Sequence, residues 1–96
     1  MSLVLDQEVF MSGEVFSAVQ VLKADPEAAR VFEELSRSSG NNSGWDLSRK
    51  LGLKPEPLIK TLEQLKEVRL VSSSGEGLAG IYYLTDLGYK LRLNAA

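Results

Sequence analysis

The sequence predicts a mainly helical α+β domain: a three-helix core, a small β-hairpin, and flanking N- and C-terminal helices. Three observations carry this expectation. Apolar residues recur at helical spacing through most of the chain. Two helix starts are sharply marked, at Asp25-Pro26-Glu27 and at Ser43-Gly44-Trp45-Asp46. A serine- and glycine-rich stretch, Ser72 to Gly80, separates two short apolar runs, Leu70-Val71 and Ile81 to Leu84.

Ninety-six residues suit a single domain, and 44% hydrophobic with 25% charged residues is the balance of a folded globule. There is no cysteine, so no disulfide framework is expected. There is no histidine either, which removes the commonest general base and the commonest zinc ligand together. With no phosphate-loop glycine pattern and no serine beside a base, the chain does not read as an enzyme, and neither a cofactor nor a metal is expected. Apolar stretches fall short of the roughly 18–20 residues that span a bilayer. No basic segment precedes an apolar block at the N-terminus, so a cytoplasmic protein without membrane contact is expected.

The first element is a helix from about Gly13 to Ala24, capped by Ser12, with Val15, Val19 and Leu22 on one stripe. Residues 1–24 are expected as an N-terminal extension, helical and dimerising, and residues 25–96 as the domain itself. Asp25 caps the next helix, Pro26 takes its first position and Glu27 complements the dipole; Val31, Phe32 and Leu35 follow on one face. The segment from Ser38 to Asn42 reads as a loop. Ser43 with Asp46 forms a capping box for a short helix carrying Leu47 and Leu51, and Gly52 ends it in a left-handed turn. Pro55-Glu56-Pro57 opens a third helix whose Leu58, Leu62 and Leu65 lie on one buried face. That helix ends near Val68-Arg69. Ser72 to Gly80 is expected as a flexible hairpin tip, Ile81 to Leu84 as the returning strand, and Thr85 as the cap of a final helix with Leu87, Tyr89, Leu91 and Leu93.

The run WDLSRKLGLKPEPLIKTLEQLKEVRLV over residues 45–71 resembles the helix-turn-helix core of bacterial winged-helix regulators. The stretch IYYLTDLG over residues 81–88 resembles the tyrosine-x-leucine-threonine-x-x-glycine segment that closes their wing. The multiple-antibiotic-resistance (MarR) and arsenic-responsive (ArsR) repressor groups are the nearest comparison, over roughly residues 25–93. The resemblance implies a winged helix-turn-helix fold, a homodimer, duplex DNA as partner, and the third helix as the element that enters the major groove.

On that helix, taking Leu58, Leu62 and Leu65 as inward leaves Glu56, Lys60, Glu63, Gln64 and Glu67 outward. Lys60, Gln64 and Glu63 are the candidates for base edges. Arg49, Lys50, Lys54 and Lys66, with Arg69 beside them, are the candidates for phosphate. The charge distribution is mildly favourable: residues 1–43 carry seven acids against three bases, whereas residues 44–71 carry six bases against four acids. Against DNA stand the three glutamates of the outward ridge and a prospective wing that holds no base and one acid, Glu76. The competing reading is a winged helix used for protein–protein contact, its bases merely solvated and paired with Asp46, Glu56, Glu63 and Glu67. Trp45 is either an exposed partner anchor or, the favoured reading, a cover for the core edge. Val9, Phe10, Val15 and Phe16, with the two helical pairs Leu87/Leu91 and Tyr89/Leu93, exceed what a monomeric core needs and suggest the dimer.

Overall fold

The computed structural model describes residues 13–37 and 42–95. In chain order its elements are α1 (Gly13–Ala24), α2 (Pro26–Arg37), β1 (Asn42–Ser43), α3 (Gly44–Leu51), α4 (Pro55–Glu67), β2 (Val71–Ser74), a 3₁₀ turn (Gly77–Ala79), β3 (Ile81–Leu84) and α5 (Asp86–Ala95). The expected Ser12 cap and the apolar pair Val9 and Phe10 lie outside the described residues.

Local chemistry accounts for most boundaries. The Asp25 carboxylate accepts from the backbone N–H of Glu27 at 3.0 Å and of Ala28 at 3.4 Å, satisfying two orphan donors at the start of α2. The Ser43–Asp46 capping box is reciprocal: Ser43 Oγ accepts from the Asp46 N–H at 3.1 Å, and Asp46 Oδ2 accepts from the Ser43 N–H at 3.4 Å. Gly52 ends α3 at φ 65°, a conformation that costs a residue with a Cβ. Ser48 clamps the ensuing turn, its carbonyl accepting from the Leu53 N–H at 3.2 Å and its hydroxyl donating to the Leu53 carbonyl at 2.7 Å. Arg30 of α2 donates to the Leu51 carbonyl at 3.0 Å, tying the end of α3 to the preceding helix.

Leu58, Leu62 and Leu65 of α4 are fully buried, and they join Val31, Phe32 and Leu35 of α2 and Leu47 of α3 in one core. Val15 and Ala18 bring α1 into the same core, with Val19, Val21 and Leu22 half-buried beside them. On α5, Leu91 is buried and Leu87 is half-buried against the core, while Tyr89 is 41% exposed; the Leu93 side chain lies outside the described residues.

The sheet is antiparallel, ordered β1-β3-β2, with Val71 opposite Leu84, Ser73 opposite Tyr82 and Asn42 also opposite Tyr82. The serines 72–74, expected within a flexible tip, instead form most of β2. Their weak intrinsic preference is overridden by pairing with a strand whose Tyr82 and Leu84 are anchored in the core. The tip itself is ordered, with Gly77–Ala79 in a 3₁₀ turn. Asn42–Ser43, expected as the end of a loop and the cap of a helix, adds a third strand.

The threonine-x-x-glycine segment has a physical rationale in two contacts. Thr85 Oγ1 accepts from the Gly88 N–H at 3.1 Å and donates to the Arg69 carbonyl at 2.5 Å, capping α5 and pinning it to the exit of α4. A Cβ at Gly88 would collide with the Leu70 carbonyl oxygen, so α5 can lie this close to the chain only with glycine there. Arg69 takes the left-handed conformation at φ 65°, where helix ends favour glycine, and the Leu70 N–H closes the turn onto the Leu65 carbonyl at 3.0 Å.

Candidate nucleic-acid interface

The candidate surface is α4 with the turn that leads into it and the hairpin beside it. Lys54 supplies the helix N-cap position in extended backbone, without a side-chain cap, and Pro55 occupies the first turn. The buried side is Leu58, Thr61, Leu62 and Leu65. Glu56, Lys60, Glu63 and Glu67 are exposed on the opposite side, as expected.

Gln64 departs from the expected ridge. It is half-buried and lines a groove of about 210 Å³ with Val21 and Ala24 of α1 and Glu67 and Val68 at the end of α4. Helical arithmetic put Gln64 on the outer flank; the packing of α1 against that flank turns it into a groove wall. Lys66 occupies the other flank, lining a cleft of about 440 Å³ with Arg69, Ser72 and Thr85.

The cations divide into two sets. Arg49 is ion-paired with Asp46 in the first turn of its own helix. Lys50 donates to Asn42 Oδ1 at 2.9 Å and lies 3.8 Å from Glu34 Oε2. Lys66 lies 3.9 Å from Glu63 Oε2. Lys54 and Lys60 make no ion pair or side-chain hydrogen bond among the described residues. The Arg49 guanidinium, with the hydroxyl and N–H of Ser43, holds the Asp46 carboxyl below its ordinary value of 3.8.

The hairpin tip does not stand free. The Gly44 N–H donates to the Gly80 carbonyl at 3.1 Å, Tyr82 donates to the Gly77 carbonyl at 3.0 Å, and Leu78 is half-buried against the core. Gly44 is in turn required by this closeness, because a Cβ there would sit 2.6 Å from Leu78 Cα. Glu76 is exposed at the tip. Burial pushes the Tyr82 phenol above its ordinary value of 10.0, and the charges of Glu63 and Glu76 add to the shift.

Trp45, expected to cover the core edge, is 57% exposed. Gly44 and Leu47, not Trp45, take the buried positions of α3. The signal for its exposure lay in the capping box, since the second helical residue after a cap commonly points away from the face defined by the fourth.

The chain is similar in fold to a solved structure of ZitR from Lactococcus lactis, a mutant in apo form. It superposes on 99% of this chain and 70% of its own, with a TM-score of 0.60 and 19% sequence identity. The fold is a winged helix. Within it α3 and α4 are the helix-turn-helix, the segment from Ser74 to Ile81 is the wing, and α1 and α5 flank the winged helix at its two ends. No protein-family model matches the chain, and neither does any curated protein sequence. Among the described residues no cluster of acidic residues could hold a metal ion, and no helix is long and apolar enough to cross a membrane.

Proposed function

We propose that this winged helix binds duplex DNA as a homodimer and acts as a transcriptional regulator, with α4 as the element that enters the major groove. The observation that carries the reading is the position of Lys54 and Lys60: the two cations of the helix-turn-helix without a carboxylate partner among the described residues lie at the start and on the exposed side of α4. Lys60 and Glu63 face base edges, Gln64 flanks them, and Lys54 takes a phosphate. Arg49, Lys50 and Lys66 transfer from their carboxylates to phosphate on binding. For Arg49 that exchange costs little, because its pair with Asp46 is exposed and such pairs contribute only about 0–1 kcal/mol. The resemblance of residues 45–88 to the MarR and ArsR repressor groups supports the same reading. Phe16, 58% exposed on α1, and Tyr89 on α5 support dimerisation through the flanking helices.

Binding of a labelled duplex by wild type, Lys54→Glu and Lys60→Glu tests the proposal. Each reversal should weaken binding at least tenfold while leaving the circular dichroism spectrum unchanged. Equal binding by all three proteins would remove α4 from the interface.

A second reading has its own observation. Glu56, Glu63 and Glu67 on the exposed side of α4, with Trp45 standing out from α3, form an acidic surface with an aromatic anchor. Such a surface suits a basic protein segment. An interaction that survives removal of DNA by nuclease and is lost on Trp45→Ala would favour it.

A further inference from the structure

Resting on the DNA-binding reading, we infer that this winged helix selects adjacent G·C pairs, with Lys60 taking guanine and Glu63 taking cytosine. The argument starts from what the wing and the flanks leave available. Residues 72–80 contain no cation, and the wing tip is fastened to Gly44 and Tyr82, so the wing offers nothing to a narrow, electronegative A·T minor groove. Gln64, the residue type that pairs with adenine, is half-buried in the wall of the α1–α4 groove, on the flank of the exposed ridge. Base selection therefore falls to the exposed side of α4, where Lys60 and Glu63 are neighbours three residues apart.

A carboxylate facing a polyanion is tolerable only where it accepts a hydrogen bond. Major-groove donors are the exocyclic amines of cytosine and adenine. Adenine sets an N7 acceptor beside its amine and would repel a carboxylate; cytosine presents its amine alone. The ammonium of Lys60 is the complement: three donors, suited to the O6 and N7 acceptors of guanine. A separation of three helical residues is about 4.5 Å along the axis, close to one base-pair step of about 3.4 Å. The two side chains thus address neighbouring pairs. Glu56 and Glu67, at the ends of the ridge, face the backbone and lower affinity for every sequence alike.

Selection from a pool of randomised duplexes, read by sequencing the retained fraction, tests the inference. Wild type should enrich adjacent G·C pairs, with about a tenfold loss of binding in competition when either is replaced by A·T. Glu63→Gln should convert the preference at its position from cytosine to adenine, because an amide matches adenine's paired donor and acceptor. Lys60→Ala should lose the guanine preference, and Glu67→Gln should raise affinity for all duplexes with preferences unchanged. A retained pool without G·C enrichment, or a cytosine preference that survives Glu63→Gln, overturns this inference alone. Retention of no duplex at low salt overturns it together with the DNA-binding reading.

Discussion

The Tyr82 hydroxyl donates a 3.0 Å hydrogen bond to the carbonyl of Gly77, so a fully buried ring in the central strand holds the wing tip against the helix-turn-helix. Tyr82→Phe keeps the packing and removes this one bond, and should cost about 1 kcal/mol in urea unfolding. Its amide-exchange signature should be loss of protection at Gly80, which donates to Gly77 at 3.2 Å. The phenol titrates above its ordinary 10.0 in the folded state. Its contribution is therefore complete below about pH 10 and lost as pH rises through the folded value, and the stability advantage over Tyr82→Phe should shrink in strong alkali.

Gly44→Ala separates intrinsic helix preference from packing. Propensity alone favours alanine inside a helix by up to about 1 kcal/mol. The added Cβ would instead meet Leu78 Cα at 2.6 Å and the Gly77 carbonyl oxygen at 3.0 Å, and both are backbone atoms that cannot swing aside. The variant should lose about 1–3 kcal/mol. A stabilised Gly44→Ala protein in thermal or urea unfolding would mean that the tip does not lie on α3.

The capping box makes a pH-dependent prediction. Ser43→Ala removes the acceptor for the Asp46 N–H and should cost about 0.5–2 kcal/mol. Asp46 itself titrates below 3.8 because Arg49 and Ser43 favour its charged form. Its contribution is present above that ordinary value and is lost as pH falls through the lowered one. Asp46→Asn should thus be less stable than wild type at neutral pH, and the difference should close on acidification. A pH-independent difference in Tm between pH 7 and pH 2.5 would contradict the assignment.

Phe16 and Tyr89 give the dimer a direct check. If the flanking helices form the interface, light scattering on wild type should give twice the chain mass of 10.5 kDa, and Phe16→Asp should return it to the monomer value without loss of helical signal. A wild-type mass that stays at one chain across a hundredfold concentration range removes the dimer.

Much of the fold is legible in the sequence because local chemistry and burial agree. Asp25, Ser43 with Asp46, Gly52 and Thr85 each announce a boundary, and each makes the expected cap or turn. Leu58, Leu62 and Leu65 announce the buried face of α4. What escaped depends on partners distant in sequence. Asn42-Ser43 is too short to show alternation and is a strand only through pairing with Tyr82 and Ile81. Ser72 to Ser74 carry the composition of a turn and the register of a strand. The partial burial of Gln64 depends on α1 packed beside it, and Trp45 is exposed because Gly44 and Leu47 take the buried positions of α3. The candidate interface was legible as residue types on one helix, but the pairing that separates Lys54 and Lys60 from Arg49, Lys50 and Lys66 was not. It arises from Glu34 on α2 and from side-chain choices within each helix.

The most direct measurement is fluorescence anisotropy of a labelled random duplex titrated with the protein at about 50 mM and then about 200 mM salt. DNA binding through α4 predicts micromolar affinity at the lower salt, a steep loss at the higher, and a shallower salt slope for Lys54→Ala, by about one unit per protomer. Absence of binding at the lower salt, in a sample verified as folded, would contradict DNA binding and leave the acidic surface around Trp45 as the working face of the molecule.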